Sequence, residues 1–189
     1  MDLFIHRILH GSRANGPGLR NVVWFQGCTL RCPACFNPGT HAPAAGHRSS
    51  PEAVCRELLS AAHPCDGITI SGGEPFQQPA ALKKLVTLLA EKNSPPVLVF
   101  SGYTETFLRS DPVLSLILNH IDALICGPYR EDLPPAYERF CSSGNQELIL
   151  LSGRYSYQDF RDLPLSEIFI SHQGTAEFSG IRIGKPGGR

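Results

Sequence analysis

The hydrophobic and polar positions change their spacing along the chain, and each change marks an element. Residues 3–9 and 21–26 are short apolar-rich runs that predict strands, with Asn15-Gly16-Pro17-Gly18 as a turn between them. Residues 27–47 lack periodicity and are rich in Cys, Pro and Gly, which predicts an irregular stretch. Ser50-Pro51 then provides an N-cap and a first-turn proline for a helix predicted to about residue 63, with Val54, Leu58 and Leu59 on one face. A short strand over 67–71 leads into a loop. Leu82, Leu85, Val86 and Leu89 then take the i, i+3, i+4, i+7 spacing of a helix over 79–93. An apolar strand follows at 97–101, then helical residues over 104–119 broken at Pro112, then strands at 121–126 and 147–151.

This alternation predicts a parallel sheet with crossover helices, hence an α/β fold. Parallel sheets collect their chemistry in the loops at the carboxyl ends of strands. The cysteine-rich stretch, the segment 72–75 and the turn 101–103 all fall there. Beyond Gly153 the pattern changes: 166–171 and 175–183 predict an antiparallel hairpin around His172-Gln173-Gly174, expected to cover an edge of the sheet. No repeat, low-complexity block or long linker divides the chain. One domain over 1–189 is expected, with a core over about 3–151 and the hairpin extension over 152–189.

Composition narrows the class. At 42% apolar and 18% charged, the 189 residues describe a globular chain and exclude a disordered one. No apolar run reaches the roughly eighteen residues of a membrane span, and the first residues do not read as a signal peptide, so a cytoplasmic protein without membrane contact is expected. Seventeen basic residues against seventeen acidic ones argue against a uniformly basic nucleic-acid surface. The charge is uneven, however: residues 1–50 hold five arginines against one aspartate. That excess either attracts an acidic partner or anionic ligand, or is simply solvated.

The cysteines carry the candidate chemistry. Cys28, Cys32 and Cys35 lie within eight residues in the spacing C-x3-C-x2-C, whereas Cys55, Cys65, Cys126 and Cys141 are scattered. Three thiolates on one tight loop suit a soft metal centre, either zinc or an iron–sulfur cluster. A closed zinc site needs a fourth ligand, for which His41 is nearest. A four-iron cluster on three cysteines leaves one iron open. Spacing alone favours the cluster, with zinc and then three unligated cysteines behind it. Cys55 and Cys65 read as fillers.

Cys28-x3-Cys32-x2-Cys35 after one strand, with Ser71-Gly72-Gly73-Glu74-Pro75 after the next, resembles the signature of the radical S-adenosylmethionine superfamily. Asn15-Gly16-Pro17-Gly18-Leu19-Arg20, Cys35-Phe36-Asn37, Ser101-Gly102-Tyr103 and Asn145-Gln146 resemble segments of its glycyl-radical-enzyme activases, especially those of anaerobic ribonucleotide reductases. The small Ala34 before the third cysteine is similar to the latter type. Cys126-Gly127 and Cys141-Ser142-Ser143-Gly144 depart from its pattern. The resemblance implies a partial, open parallel β/α barrel with a C-terminal antiparallel hairpin. It implies a [4Fe-4S] cluster on Cys28, Cys32 and Cys35 with an open iron, and S-adenosylmethionine bound there.

By the same resemblance Ala34 and Phe36 contact the nucleotide, and Gly72, Gly73, Glu74, Pro75 and Ser101 form the rest of the cofactor site. Gly72 and Gly73 would let backbone approach the ligand, so Gly73→Val is expected to spare the cluster and block cofactor cleavage. Glu74 would pair with the methionine ammonium and Pro75 fix the turn. Arg20 would steer the cofactor carboxylate or an electron donor, or else be solvated. Reductive cleavage of S-adenosylmethionine would then generate a glycyl radical on a partner enzyme, with flavodoxin or ferredoxin as a one-electron donor. Two alternatives stand beside this: a radical enzyme acting on a small molecule or peptide, similar to 7-carboxy-7-deazaguanine synthases, and a non-catalytic zinc- or cluster-binding module. A chain of 189 residues has little length for a lid, which favours an open rim reached by a protein loop.

Overall fold

The structure, a computed structural model, describes residues 1–170 and 173–181. Nine strands are present among them: β1 (Leu3–Ser12), β2 (Arg20–Phe25), β3 (His47–Ser49), β4 (Gly67–Gly72), β5 (Val97–Ser101), β6 (Ala123–Cys126), β7 (Glu147–Leu150), β8 (Ser166–Ile170) and β9 (Ala176–Gly180). The helices are α1 (Pro51–Leu58), α2 (Pro79–Glu91), α3 (Glu105–Ser110) and α4 (Leu114–Leu118). The first seven strands form one open sheet in the order β3-β1-β2-β4-β5-β6-β7, and β8 and β9 form a separate antiparallel hairpin. The central pairs β2–β4, β4–β5 and β5–β6 are parallel, so the mixed α/β architecture is mostly parallel at its centre.

Several expectations need correcting. The last strand, β7, is antiparallel to β6, because the chain between them contains only turns and one 3-10 segment, with no helix to carry it back across the sheet. At the end of the irregular stretch the chain forms the unpredicted short strand β3, paired antiparallel to β1 at the sheet edge. Helix α1 stops at Leu58, well short of residue 63. Its start agrees with the sequence: Ser50 Oγ accepts from Ala53 N at 3.2 Å, with Pro51 in the first turn.

The two faces of the sheet differ. One face presents Val23 and Phe25, Ile68 and Ile70, Val97 and Val99, and Leu124 and Cys126 to α1, α2 and α4, forming the larger core. Alternation along the same strands sends Leu98, Ala123 and Ile125 to the other face, where Phe140, Cys141 and Phe160 cover them. Trp24, Ser71 and Phe100 border a cavity of about 370 Å³ that also touches the hairpin.

The hairpin therefore lies over the helix-free face instead of covering an edge. Glu167 accepts from the Ser12 hydroxyl and from the Arg13 backbone N–H at 3.0 Å. Asn15 Nδ2 donates to Ser179 Oγ at 2.7 Å, and Arg7 pairs with Glu177. The predicted hairpin positions Ser171, His172, Arg182 and Ile183 lie outside the described residues.

Candidate active site

Glutamine side chains clamp the cysteine loop where regular structure cannot. Gly27 N donates to Thr40 O at 2.7 Å and Cys28 N to His41 O at 3.1 Å, fastening both ends of the loop together. Gln26 is buried and its Nε2 donates to Gly39 O (3.0 Å) and Ala42 O (2.7 Å). From the neighbouring strand end, Gln77 accepts from Thr29 N at 3.0 Å and donates to Thr29 Oγ1 at 2.8 Å and Tyr103 Oη at 3.0 Å. Gln78 ties Phe4 O and Gln26 O. Within the loop Arg31 (φ 47°) and Ala34 (φ 54°) adopt the left-handed conformation, each directly before a cysteine. That conformation costs a non-glycine residue about 1–2 kcal/mol, and here it turns the loop so that all three cysteines line one cavity.

Opposite them stand Gly72, Gly73, Glu74 and Ser101, on the loops after β4 and β5. Glu74 is buried. Its Oε1 accepts from Phe76 N and Ser101 Oγ, both at 3.0 Å, and its Oε2 from Gly102 N at 2.7 Å. Burial pushes this carboxyl up to about 7 despite those three bonds. The carboxylate thus staples the two loops and still has acceptor capacity at Oε2. Burial also raises the Cys35 thiol, and the neighbouring Cys32 and Cys28 raise it further. Three half-buried thiols, none in a disulfide, share this wall.

The two glycines answer a packing need in addition to the one expected. A Cβ on Gly72 (φ +114°) would sit 2.3 Å from Phe25 N, and one on Gly73 would sit 2.2 Å from Gly27 O. The backbone they admit is the end of β2 and the start of the cysteine loop: Gly73 N donates to Phe25 O at 2.8 Å and Glu74 N to Gly27 O at 2.9 Å. The glycine loop and the cysteine loop are one packed unit.

Of the residues singled out from the sequence, Cys28, Cys32, Cys35, Phe36, Gly72, Gly73, Glu74 and Ser101 share the cavity. Ala34 is exposed outside its lining, and Pro75 is buried behind it. Arg20 belongs to the far end of the molecule: it is buried at the amino end of the strands, paired with Gly67 in the sheet register. It neither touches the site nor meets solvent. Tyr103 packs on Phe107 and holds Gln77. Cys126 and Cys141 are buried, which pushes their thiols up to about 12 and about 11, so both stay protonated as structural residues.

Three lining residues went unread in the sequence. Tyr129 faces Phe36 with ring centroids 4.7 Å apart. Gln146 accepts from Ser142 N (3.0 Å) and Ser143 N (3.2 Å) and donates to Gly127 O at 3.1 Å. His41, considered only as a zinc ligand, lines the cavity with Nε2 buried and without a hydrogen-bond partner. Of these, Tyr129 left no trace in the sequence, Gln146 appeared only within the Asn145-Gln146 segment without a role, and His41 only as a candidate zinc ligand.

Among the described residues, no group of three His, Cys, Asp or Glu side chains is placed to hold a single metal ion. Three soft thiols spread around a shared cavity fit a larger iron–sulfur centre in number and kind.

Comparison with known proteins agrees. A family described as a 4Fe-4S single cluster domain matches residues 14–149. A pyruvate formate-lyase-activating enzyme of Clostridium pasteurianum is 35% identical over 126 residues, which cover 62% of this chain and 53% of that one. An anaerobic ribonucleoside-triphosphate reductase-activating protein of Vibrio cholerae is 30% identical over 140 residues, covering 70% of this chain and 88% of that one. Among solved structures, QueE from Escherichia coli aligns with a TM-score of 0.48 at 19% identity, over 55% of this chain and 54% of that chain. The chain belongs to the 4Fe-4S single cluster domain family, within the radical S-adenosylmethionine group of glycyl-radical activases. It spans about half the length of the pyruvate formate-lyase-activating enzymes that it matches.

Proposed function

We propose that this chain is a radical S-adenosylmethionine activating enzyme. It would receive one electron from a donor such as flavodoxin or ferredoxin and generate a glycyl radical on a partner enzyme, an anaerobic ribonucleotide reductase. The observation that carries the reading is the cavity where the cysteine, Gly72–Gly73 and Ser101 loops meet. The extent of the match supports the choice of partner, since the alignment covers 88% of the ribonucleotide-reductase-type relative.

Cys28, Cys32 and Cys35 would hold the cluster as thiolates, its positive iron offsetting the burial, and the lesser mutual repulsion, that raise Cys35. When bound, the cluster and S-adenosylmethionine would supply reductive carbon–sulfur cleavage and hydrogen-atom abstraction from the substrate. Glu74, buried and with spare acceptor capacity at Oε2, would receive the methionine ammonium, and a cation there would draw its pKa back down. The Phe36–Tyr129 aromatic pair forms the wall against which the adenine would lie. Ser101 orients Glu74, and Leu30 and Phe100 add apolar side chains to the cavity lining.

A second reading draws on the hairpin. The cavity of about 370 Å³ beneath it adjoins the cysteine cavity, sharing Phe36, Asn37, Ser71 and Phe100, and is enclosed enough for a small molecule. Electron paramagnetic resonance decides between the two. The reduced chain, loaded with S-adenosylmethionine and mixed with an anaerobic ribonucleotide reductase, should give the doublet of a glycyl radical coupled to one α-hydrogen. No doublet, together with turnover of a small molecule, would select the second reading.

A further inference from the structure

We propose that His41 is a positioning residue for the cluster, its ring Nε2–H donating a hydrogen bond to a sulfur at the cluster's edge. The proposal rests on the cluster reading above and goes beyond it, since it assigns a role to a side chain outside the cysteine motif. Its starting point is an unmet bond. His41 lines the cavity with Cys28, Cys32 and Cys35, and its Nε2 is buried without a partner. Leaving a buried polar atom unbonded costs about 1–3 kcal/mol, and such atoms are uncommon in folded proteins except where a bound group completes them.

The backbone around His41 is fixed, so its ring is held at the site. His41 O accepts from Cys28 N at 3.1 Å, and His41 N donates to Pro38 O at 3.2 Å. On either side, Thr40 O accepts from Gly27 N at 2.7 Å and Ala42 O accepts from Gln26 Nε2 at 2.7 Å. The carboxylate across the cavity is not its partner: His41 Nε2 bonds to no protein atom, and the bonds Glu74 accepts come from Phe76 N, Ser101 Oγ and Gly102 N. Sulfur is the acceptor that the cysteine wall offers.

A role for the ring in a single-ion site is disfavoured, because no three such side chains among the described residues are placed to hold one ion. The neutral Nε2–H tautomer is sufficient for donation, so the assignment requires no change of charge. Hydrogen bonds to cluster sulfurs set reduction potential. A donor stabilises the extra electron of the reduced state, so His41 should raise the potential and ease reduction.

The test compares the full chain with His41→Leu, His41→Gln and His41→Asn after anaerobic reconstitution. Iron and sulfide are assayed, and the midpoint is taken from a redox titration followed by electron paramagnetic resonance without S-adenosylmethionine. All four should hold the same iron and sulfide. His41→Leu should shift the oxidised-to-reduced ratio at fixed potential about tenfold towards oxidised, a midpoint about 59 mV lower for one electron. His41→Gln carries an amide N–H with similar reach and should stay near the parent. His41→Asn, one bond shorter, should follow Leu while keeping a polar side chain, which preserves the comparison if Leu does not fold. Equal midpoints in all four would overturn the assignment, as would one fewer iron in His41→Leu, which would make the imidazole a ligand. A parent chain that takes up no cluster would instead overturn the reading under Proposed function.

Discussion

Each end of the parallel strands buries one charged side chain with no oppositely charged group bonded to it, and the two ends treat that charge in opposite ways. At the amino end all five N–H groups of Arg20 are spent: Nε on Thr69 Oγ1, Nη1 on Pro17 O and Tyr155 Oη, and Nη2 on Ile68 O and Pro96 O. Nothing there is left over to bind a ligand. At the carboxyl end Glu74 accepts three bonds, retains acceptor capacity and is pushed up to about 7. Beside it stand three unpaired thiols and an orphaned imidazole nitrogen. A saturated buried charge is a structural plug. An undersaturated one, beside strained loop residues, marks where a bound group completes the bonding.

The sharpest break concerns the carboxyl end. Cys32→Ala should abolish the broad visible absorbance of the reconstituted cluster, whereas Cys55→Ala, buried on α1, should keep it. Gly73→Val should also lose cluster, contrary to the expectation that it would spare it. Its side chain would meet Gly27 O, one residue before the first cysteine. A wild-type cluster spectrum in Gly73→Val would show that the two loops separate without cost.

At the amino end, Arg20→Leu should destabilise the chain by about 3–5 kcal/mol, because it strands Thr69, Tyr155 and three carbonyls in a buried site. Urea unfolding measures that loss. Iron content per folded chain should be unchanged, and a selective loss of cluster would return Arg20 to the site.

The smallest effect is the pH response of Glu74. Unfolded, its carboxyl loses the proton near 4.5; folded and without ligands, it holds the proton to about 7. Between those values the folded chain binds more protons, so its stability should fall as pH rises through that window, by about 3 kcal/mol. Glu74→Gln should flatten the slope in urea unfolding of the ligand-free chain. Equal slopes would mean that the carboxylate is solvated in the folded state.

Much of the architecture was legible because it depends on local periodicity. The apolar spacing of α2 and the strand at β5 survive nearly residue for residue, as does the break between α3 and α4 at Pro112. The convergence of three loops at the carboxyl ends also follows from strand order. Strand β3 was hidden because His47-Arg48-Ser49 has no apolar signature and pairs only at an edge. The direction of β7 was hidden because polarity patterns do not encode which way a strand runs.

By itself, then, the chain determined which residues carry the chemistry: the cysteine spacing, the Ser71–Pro75 segment and the strands that precede them are statements of covalent order. The tertiary structure decided what each of those residues is for. The distances that turn Gly72 and Gly73 into packing positions, Glu74 into a staple between loops and Arg20 into a distant plug run between segments tens of residues apart. The placing of the hairpin over the helix-free face, and of His41 beside the thiols, depends likewise on bonds such as Glu167 to Arg13 and Cys28 to His41. Side-chain periodicity reports only which face of its own element a residue occupies. What that face meets is set by packing and hydrogen-bond satisfaction across the whole fold.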